Sequence, residues 1–217
     1  MLLSHRYKFL YVHIAKTGGS SLRAALNHLR WRDPMYYLMF PCHKLSGFTG
    51  HTIATKLPRH AGVIAAKEML PDNFFKSLYK FAFVRNPWDL QVSSFHHVQR
   101  ERPKMLKGIT DFNEFLKYKF DLERPFLYHI DIASKPQTDQ LIDLHGNIIV
   151  DFIGRYERLR EDFTHVLQEI GLPDLKLPHK QRSKRKKDYH SYYSAESVDM
   201  VAQHFEQDIR LLKYKFE

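Results

Sequence analysis

The stretch Tyr11–Ser21, YVHIAKTGGSS, contains residue types that are suited to holding a phosphate or a sulfate. An apolar run ends at Ile14, and a lysine, a threonine, two glycines and two serines follow after one alanine. Glycines let the backbone approach an anion closely, and a helix that begins at Gly19 would add backbone N–H groups and the positive end of its dipole. An ordinary turn before a serine-capped helix is the alternative. The lysine, glycines and serines together favour an anion site.

The order of residues in this loop differs from that of the Walker motif. That motif has four residues between a first glycine and a Gly-Lys pair, whereas Lys16 precedes both glycines here. The sequence also shows no obvious strand that ends in an aspartate for a metal ion. A P-loop kinase or a nucleotide hydrolase is therefore disfavoured, although it remains the first alternative.

A second anion-binding pattern lies in Phe81–Phe95, FAFVRNPWDLQVSSF. An apolar strand is predicted to end at Arg85, a turn follows, and Ser93 lies on the next helix eight residues after Arg85. An arginine at a strand end and a serine one to two helical turns later can converge on one phosphate, because arginine offers a forked and permanently charged set of donors. The alternative is an ion pair between Arg85 and Asp89 with Ser93 exposed on its helix. The residues alone do not choose between the two.

Strands that alternate with helices are expected around both patterns. Tyr7–Ile14, Tyr79–Val84 and Asn147–Gly154 are apolar enough to be buried strands, and the start of the chain is interpreted as the first of them. Apolar spacing, prolines, glycines and capping residues predict helices over Gly19–Leu29, Val63–Met69, Trp88–Gln99 (after Pro87), Asp111–Phe120, Arg155–Ile170 and from a Ser194 cap to about Leu212. We therefore predict an α/β domain with a mainly parallel sheet, which binds its ligand at the carboxyl ends of the strands.

Composition restricts the class of protein. With 217 residues, 43% of them hydrophobic, the chain is expected to form one domain over residues 1–217. The single cysteine, Cys42, excludes an intrachain disulfide and favours a reducing compartment, with a Golgi-type lumen as the alternative. No apolar stretch approaches the ~20 residues that span a bilayer, and the start lacks the features of a signal peptide, so we expect a cytoplasmic protein. The formal charge of +10 favours an anionic partner: nucleic acid, a phosphorylated cofactor, an acidic glycan or an anionic membrane.

The chain resembles the sulfotransferases that use 3'-phosphoadenosine 5'-phosphosulfate. HIAKTGGSSL is similar to the HIPKTGGTSL loop of the branch that contains Golgi glycan sulfotransferases and their bacterial relatives, with Ala15 in the place of proline. FAFVRNPWDLQVSSF resembles the 3'-phosphate motif of this family, and IVDFIGRYERLREDF resembles its strand–helix segment. The resemblance covers nearly the whole chain and is weakest over Leu29–Arg59. It implies a P-loop-like three-layer fold in which helices flank a central, mainly parallel sheet.

The resemblance also implies which residues bind the donor and its product, adenosine 3',5'-bisphosphate. It places Lys16 on the bridging oxygen of the phosphosulfate, and Arg85 and Ser93 on the 3'-phosphate, with Ser94 as a further candidate. The residues that it places around the 5'-phosphate are Thr17, Gly18, Gly19, Ser20 and Ser21. The basic loop HKQRSKRKKDYH would cover the 3'-phosphate and the adenine through Arg182, Ser183, Lys184 and Arg185. A solvated basic loop and a nucleic-acid patch are the alternatives for that loop.

Transfer of a sulfuryl group to a hydroxyl requires a base that takes the acceptor's proton and a cation that stabilises the leaving phosphate. Lys16 serves the second need, and no metal is expected. His60 is the first candidate base, because the run His60–Arg85 resembles the family stretch that begins His-Ala-Thr-Ala; His51, in GFTGHTIA, and Glu68 follow it.

We therefore predict a sulfotransferase that moves a sulfuryl group to a hydroxyl acceptor, expected to be a glycan or a glycolipid, and no nucleic-acid partner. A non-enzymatic module that binds nucleic acid or an anionic glycan is the second alternative. Such a module would explain the positive charge, but it would not explain two anion patterns that each follow an apolar strand.

Overall fold

The computed structural model describes residues 1–35, 37, 57, 59–121, 123, 132–178 and 188–216. The chain divides into two compact units. The first unit comprises Met1–Ile14, Gly18–Val84 and Gln140–Gln181, and the second comprises Ala15–Thr17, Arg85–Asp139 and Arg182–Glu217. The expectation of one domain over residues 1–217 stays a prediction.

The first unit contains a four-stranded sheet in the order β1–β2–β3–β4. The strands are β1 (Leu2–Ser4), β2 (Phe9–Val12), β3 (Tyr79–Val84) and β4 (Phe152–Arg155). β1 pairs with β2 in antiparallel orientation, whereas β2 with β3 and β3 with β4 are parallel. The predicted α/β fold with a mainly parallel sheet is therefore confirmed.

Helices connect and flank these strands. In chain order, the α-helices of the described residues are α1 (Gly19–Asn27), α2 (Val63–Met69), α3 (Asp72–Ser77), α4 (Pro87–Glu101), α5 (Phe112–Phe120), α6 (Leu159–Glu169), α7 (Ala195–His204) and α8 (Glu206–Leu212). Helices α1, α2, α3 and α6 lie in the first unit, and α4, α5, α7 and α8 lie in the second. The described part of the chain contains no helix that is both long and apolar enough to cross a membrane.

The core of the first unit lies between one face of the sheet and helices α1 and α6. Alternate residues of a strand point to the same face, so Phe9 and Tyr11 of β2 lie on one face with Phe81 and Phe83 of β3. The helical residues that complete this core are Leu22, Ala25, Leu26, Phe163, Val166 and Leu167. The residues on the opposite face of β2 and β3 are buried as well: Leu10, Val12, Ala82 and Val84. Burial of both faces explains why these strands are apolar runs without alternation.

The core of the second unit is formed by helices α4, α5 and α7. It contains Trp88, Val92 and Phe95 of α4, Phe115 of α5 and Val201 of α7. Two residues, Arg85 and Asn86, separate the end of β3 from Pro87, the first residue of α4. The Asn86 side chain accepts a hydrogen bond of 3.0 Å from the Trp88 N–H. Arg85 and Asn86 thus form the turn between the strand and the helix, and the Asn86 side chain caps the helix.

The prediction of one strand at the start of the chain is wrong in its extent. Residues 1–14 form two short antiparallel strands, and the chain reverses between them where Lys8 has a φ of 49°. The Asp33 carboxylate holds this turn, because its Oδ2 accepts hydrogen bonds from the Ser4 hydroxyl at 2.9 Å and from the His5 N–H at 2.7 Å. A continuous apolar run does not reveal such a reversal.

Three later elements also differ from their predicted extents. The strand expected over Asn147–Gly154 begins only at Phe152, and Ile148 instead pairs with Ile142 in an isolated bridge. The helix expected from Arg155 begins at Leu159, after a short 3-10 turn. The last helix is capped by Ser194 as predicted, but it is interrupted at the fully buried Phe205, so it forms α7 and α8.

Candidate active site

The anion loop, Ala15–Ser21, follows β2 with two residues between them. Its first part, Ala15–Thr17, belongs to the second unit. Lys16 has a φ of 67°, a left-handed backbone conformation that is uncommon for a residue other than glycine. The Lys16 carbonyl accepts a hydrogen bond of 3.0 Å from Nη1 of Arg85, which lies in the same unit. The loop is thus held in a conformation that its own sequence does not favour.

The two glycines of the loop lie in the first unit, and each occupies a position that a side chain would disrupt. Gly18 has a φ of 80° and precedes α1 as its N-cap residue. A Cβ at Gly18 would lie 2.8 Å from Cδ2 of Leu159, and a Cβ at Gly19 would lie 1.9 Å from Nε2 of His13. Close packing against the His13 ring therefore requires glycine at position 19, and the left-handed backbone conformation favours glycine at position 18.

The start of α1 offers donors that suit an anion. The N–H groups at the very start of a helix have no acceptor within the helix itself and can bind a ligand. In α1 the N–H groups that follow, those of Ser21 and Leu22, already bond to the Gly18 carbonyl at 3.0 and 3.3 Å. Ser20, which is exposed, and Ser21, which is partly buried, both lie in the first turn of α1. A glycine cradle, a helix N-terminus and two hydroxyls make up a donor set in the first unit that fits a phosphate or phosphosulfate group.

The Arg85 side chain forms the ion pair that the sequence left open as an alternative. Arg85 is buried, and its Nε and Nη2 both lie 2.7 Å from Oδ2 of Asp89. This pair does not by itself assign or remove the expected contact with a 3'-phosphate, which stays a prediction.

The two serine candidates of the second pattern differ in their surroundings. Ser94 is buried and accepts a hydrogen bond of 2.8 Å from Nζ of Lys119. Ser93 is partly exposed, and its hydroxyl has no hydrogen-bond partner among the residues that the structure describes. Ser93 is therefore the better placed of the two to bind a ligand.

His60, the first candidate base, lies in the first unit beside the strand end of β2. Its Nδ1 is 3.2 Å from the backbone carbonyl of His13. A carbonyl oxygen only accepts hydrogen bonds, so Nδ1 carries the hydrogen and the lone pair of the neutral ring lies on Nε2. Burial lowers the pKa of His60 and outweighs the opposing effect of the bond to the His13 carbonyl, while Arg59 lowers the pKa further. The ring is therefore neutral near pH 7, as a base must be.

His13 is a residue of this site that the sequence analysis missed. Its ring lies 4.7 Å from that of His60, between centroids, and its Nδ1 accepts a hydrogen bond of 3.3 Å from Nε of Arg59. Burial, followed by the charges of His60 and Arg59, lowers the pKa of His13 to about 2. His13 is thus a neutral ring packed onto Gly19. The signal was present, because His13 stands inside HIAKTGG, but only lysine, glycine and hydroxyl residues were assigned a role there.

Glu68 is exposed on α2. His51 and the basic-loop residues Arg182, Ser183, Lys184 and Arg185 lie outside the described residues. Within residues that the structure describes, no three His, Cys, Asp or Glu side chains are grouped so that they could hold a metal ion.

Comparison with known proteins gives a consistent family. The sulfotransferase family profile matches residues 1–215. Carbohydrate sulfotransferase 14 of Danio rerio is 23% identical over 210 residues, which cover 83% of this chain and 51% of that protein. Carbohydrate sulfotransferase 9 of Homo sapiens is 30% identical over 151 residues, which cover 58% of this chain and 31% of that protein. An uncharacterized protein of Archaeoglobus fulgidus is 36% identical over 101 residues, 46% of this chain and 73% of its own. The chain thus spans about half or less of the carbohydrate sulfotransferases that it matches.

The contact between Gly19 and His13 leads to a stability prediction. Gly19→Ala should destabilise the protein by about 1–3 kcal/mol, because the new methyl group would overlap the His13 ring. Alanine would otherwise favour the helix by about 1 kcal/mol, so the expected sign is the opposite of the helix propensity. Thermal unfolding measures the effect.

Ser20→Ala, an exposed position in the same helical turn, is the control and should hardly change the unfolding temperature. The double variant His13→Ala, Gly19→Ala should be more stable than the sum of the two single losses predicts. Simple additivity would contradict the contact.

Proposed function

The chain belongs to the sulfotransferase family, and from this premise we propose that it transfers a sulfuryl group from 3'-phosphoadenosine 5'-phosphosulfate to a hydroxyl of a carbohydrate. The observation that carries the proposal is the anion loop: Lys16 in a left-handed conformation, then Thr17, and then two glycines at the start of a helix, of which Gly18 has a positive φ and Gly19 has no room for a side chain. The donor, when bound, supplies an activated sulfuryl group on a phosphate leaving group.

The residues of the chain would hold the donor at its two ends. Lys16, the hydroxyls of Ser20 and Ser21, and the N–H groups at the start of α1 would bind the 5'-phosphosulfate. Ser93 would bind the 3'-phosphate together with Arg85. The shape of the glycine turn supports the assignment of the 5'-phosphosulfate site. The partial exposure of Ser93, and the resemblance of its segment to the family motif, support the assignment of the 3'-phosphate site.

His60 would act as the base of the reaction. Its Nε2 would take the proton of the acceptor hydroxyl while the acceptor oxygen forms a bond to sulfur and the bond from sulfur to the 5'-phosphate oxygen breaks. The electron pair of the broken bond stays on the phosphate, and Lys16 with the helix N–H groups would neutralise the charge that develops there. The hydrogen bond from His60 Nδ1 to the His13 carbonyl supports this role, since it leaves Nε2 as the basic atom.

The acceptor is proposed from the relatives. Two of the similar proteins are named carbohydrate sulfotransferases, so we propose that the acceptor is a glycan or a glycolipid. A screen of sugars, lipids and phenols with donor labelled in its sulfuryl group tests this choice. Sulfation of phenols alone would contradict it.

Nucleotide binding should depend on the 3'-phosphate. The protein should bind adenosine 3',5'-bisphosphate about 10- to 100-fold more tightly than AMP, because a charge-assisted contact is worth on the order of 1.5–3 kcal/mol. Isothermal titration calorimetry at fixed salt measures both affinities. Ser93→Ala should reduce the difference, whereas Ser77→Ala, an exposed serine of the first unit, should not.

Equal affinity for the two nucleotides would remove the 3'-phosphate assignment. Tighter binding of ATP with magnesium than of adenosine 3',5'-bisphosphate would instead favour phosphoryl transfer, and binding of oligonucleotides alone would favour a nucleic-acid module.

Removal of the proposed base should lower the turnover of the enzyme without changing its affinity for the nucleotide. His60→Ala should lower turnover by roughly 10²–10⁴-fold while the affinity for adenosine 3',5'-bisphosphate hardly changes, because the base faces the acceptor. Lys16→Ala should lower both. His165→Ala, an exposed histidine that packs against Phe152, is the control and should remain active.

Near-normal turnover of His60→Ala would reject this base. A large loss in His51→Ala or in Glu68→Ala would then transfer the role to that residue.

The pH profile should report a base with a lowered pKa. Burial and the charge of Arg59 hold the pKa of His60 below its usual 6.5, so the neutral form persists to lower pH than for a free histidine. The acidic limb of kcat/KM should therefore have its midpoint below about 6.5, and Arg59→Ala should move that midpoint upward. A limb at or above pH 7 in the wild type would contradict the assignment.

A further inference from the structure

We propose that Arg85 is a positioning residue that fixes the backbone of Lys16. In this proposal Asp89, Gln137 and Asp208 hold Arg85 in the position that this contact requires. The proposal rests on the proposed function, in which Lys16 binds the phosphosulfate, and it adds a role for Arg85 besides the contact expected with a 3'-phosphate. All five residues lie in the second unit.

The need for such support comes from Lys16 itself. A left-handed conformation in a residue with a side chain costs about 1–2 kcal/mol, so it persists only where the surroundings enforce it. Lys16 has this conformation, with a φ of 67°. The hydrogen bond of 3.0 Å from Arg85 Nη1 to the Lys16 carbonyl fixes the peptide group that leads into Thr17 and the glycines. Because its donor is charged and buried, this bond is of the stronger kind.

Asp89 holds the guanidinium in the orientation that this bond requires. Nε and Nη2 of Arg85 both approach Oδ2 of Asp89 at 2.7 Å, and both side chains are largely buried. Asp89 stands in the first turn of α4, where the helix dipole stabilises a carboxylate. With two of its nitrogens fixed by Asp89, the planar guanidinium directs Nη1 toward the loop.

Gln137 holds the backbone of Arg85. Its Oε1 accepts a hydrogen bond of 2.9 Å from the Arg85 N–H, and its Nε2 donates one of 2.8 Å to the Arg85 carbonyl. The Gln137 side-chain amide therefore pairs with Arg85 as a neighbouring strand would. This pairing continues the hydrogen bonding of the backbone one residue beyond the end of β3.

Asp208 of α8 fixes Gln137 in turn. Its side chain is fully buried and accepts four hydrogen bonds: from the backbone N–H and Nε2 of Gln137 at 2.8 and 3.2 Å, and from the N–H and hydroxyl of Thr138 at 2.9 and 2.8 Å. A buried carboxylate that is satisfied in this way is costly to disturb. A continuous set of hydrogen bonds thus runs from α8 through Gln137 and Arg85 to the carbonyl of Lys16.

Nucleotides that carry one phosphate each can separate positioning from direct binding. The affinities of AMP, adenosine 3'-monophosphate and adenosine 3',5'-bisphosphate are measured for the wild type and for Gln137→Ala. If Gln137 acts through Arg85 on the Lys16 loop, the variant should bind AMP, which has no 3'-phosphate for Arg85 to contact, roughly tenfold more weakly. The bisphosphate should lose at least the same factor, and adenosine 3'-monophosphate reports any change at the contact of Arg85 with the 3'-phosphate.

Gln91→Ala is the matched control. Gln91 is also a fully buried glutamine of the second unit, and its Nε2 donates a hydrogen bond of 3.0 Å to the Ala133 carbonyl. Its removal should cost comparable stability but leave the affinity for AMP unchanged. Asp89→Asn, which keeps the shape of the side chain, is the second test variant and should give the same pattern as Gln137→Ala if the latter does not fold.

Hydrogen exchange provides a readout that requires no nucleotide. The backbone N–H groups of residues 16–20 should exchange several-fold faster in Gln137→Ala than in the wild type or in Gln91→Ala. If the wild type binds none of the three nucleotides, the proposed donor is wrong, and the exchange rates still decide the positioning role. Unchanged exchange, or a loss confined to the nucleotides with a 3'-phosphate, would overturn the proposal.

Discussion

The parallel pairing of β2 with β3 is the constraint on which the candidate site depends. The register places Val12, the last residue of β2, opposite Ala82, two residues before β3 ends. Because parallel strands end at the same edge of a sheet, the chain leaves both strands at that edge and continues into the anion loop in one case and into Arg85–Pro87 in the other. The pairing requires strands that are buried on both faces, which the apolar runs FLYV and YKFAFV satisfy.

Elements with strong local signals were predicted closely. β3 and α2 have the bounds that their sequences indicated, since each is a short apolar pattern with a clear beginning and end. The N-terminal hairpin was not predicted, because the bonds that stabilise its turn come from Asp33, which lies 29 residues beyond Ser4. The break at Phe205 was missed for a similar reason: the apolar spacing continues through it, and tertiary packing of a fully buried ring sets the boundary.

The same difference applies to the candidate site: residues with a local signal were recognised from the sequence, whereas contacts between residues far apart in the chain were not. The loop sequence indicated Lys16 and both glycines, because their chemistry is suited to anions whatever surrounds them. It did not indicate that Gly19 is required by the ring of His13, or that His13 contacts Arg59, 46 residues later. Gln137 and Asp208 are ordinary polar residues in the sequence. Their roles follow only from the structure, in which Gln137 bonds to the backbone of Arg85 and Asp208 bonds to Gln137.

The surroundings of His60, the proposed base, combine two requirements of the proposed sulfuryl transfer that oppose each other. Positive charge favours a leaving phosphate, but positive charge near a histidine, here from Arg59 and Arg23, also lowers its pKa and weakens it as a base. The efficiency of a histidine as a general base depends on two factors: the basic strength of its ring and the fraction of molecules in which the ring is deprotonated. A lowered pKa ensures that the ring is neutral at pH 7, and the His13 carbonyl opposes the effect by holding Nδ1–H and supporting the protonated form. A phosphate is a good leaving group, so a moderately weak base that is always available would suit the proposed reaction better than a stronger base that is mostly protonated.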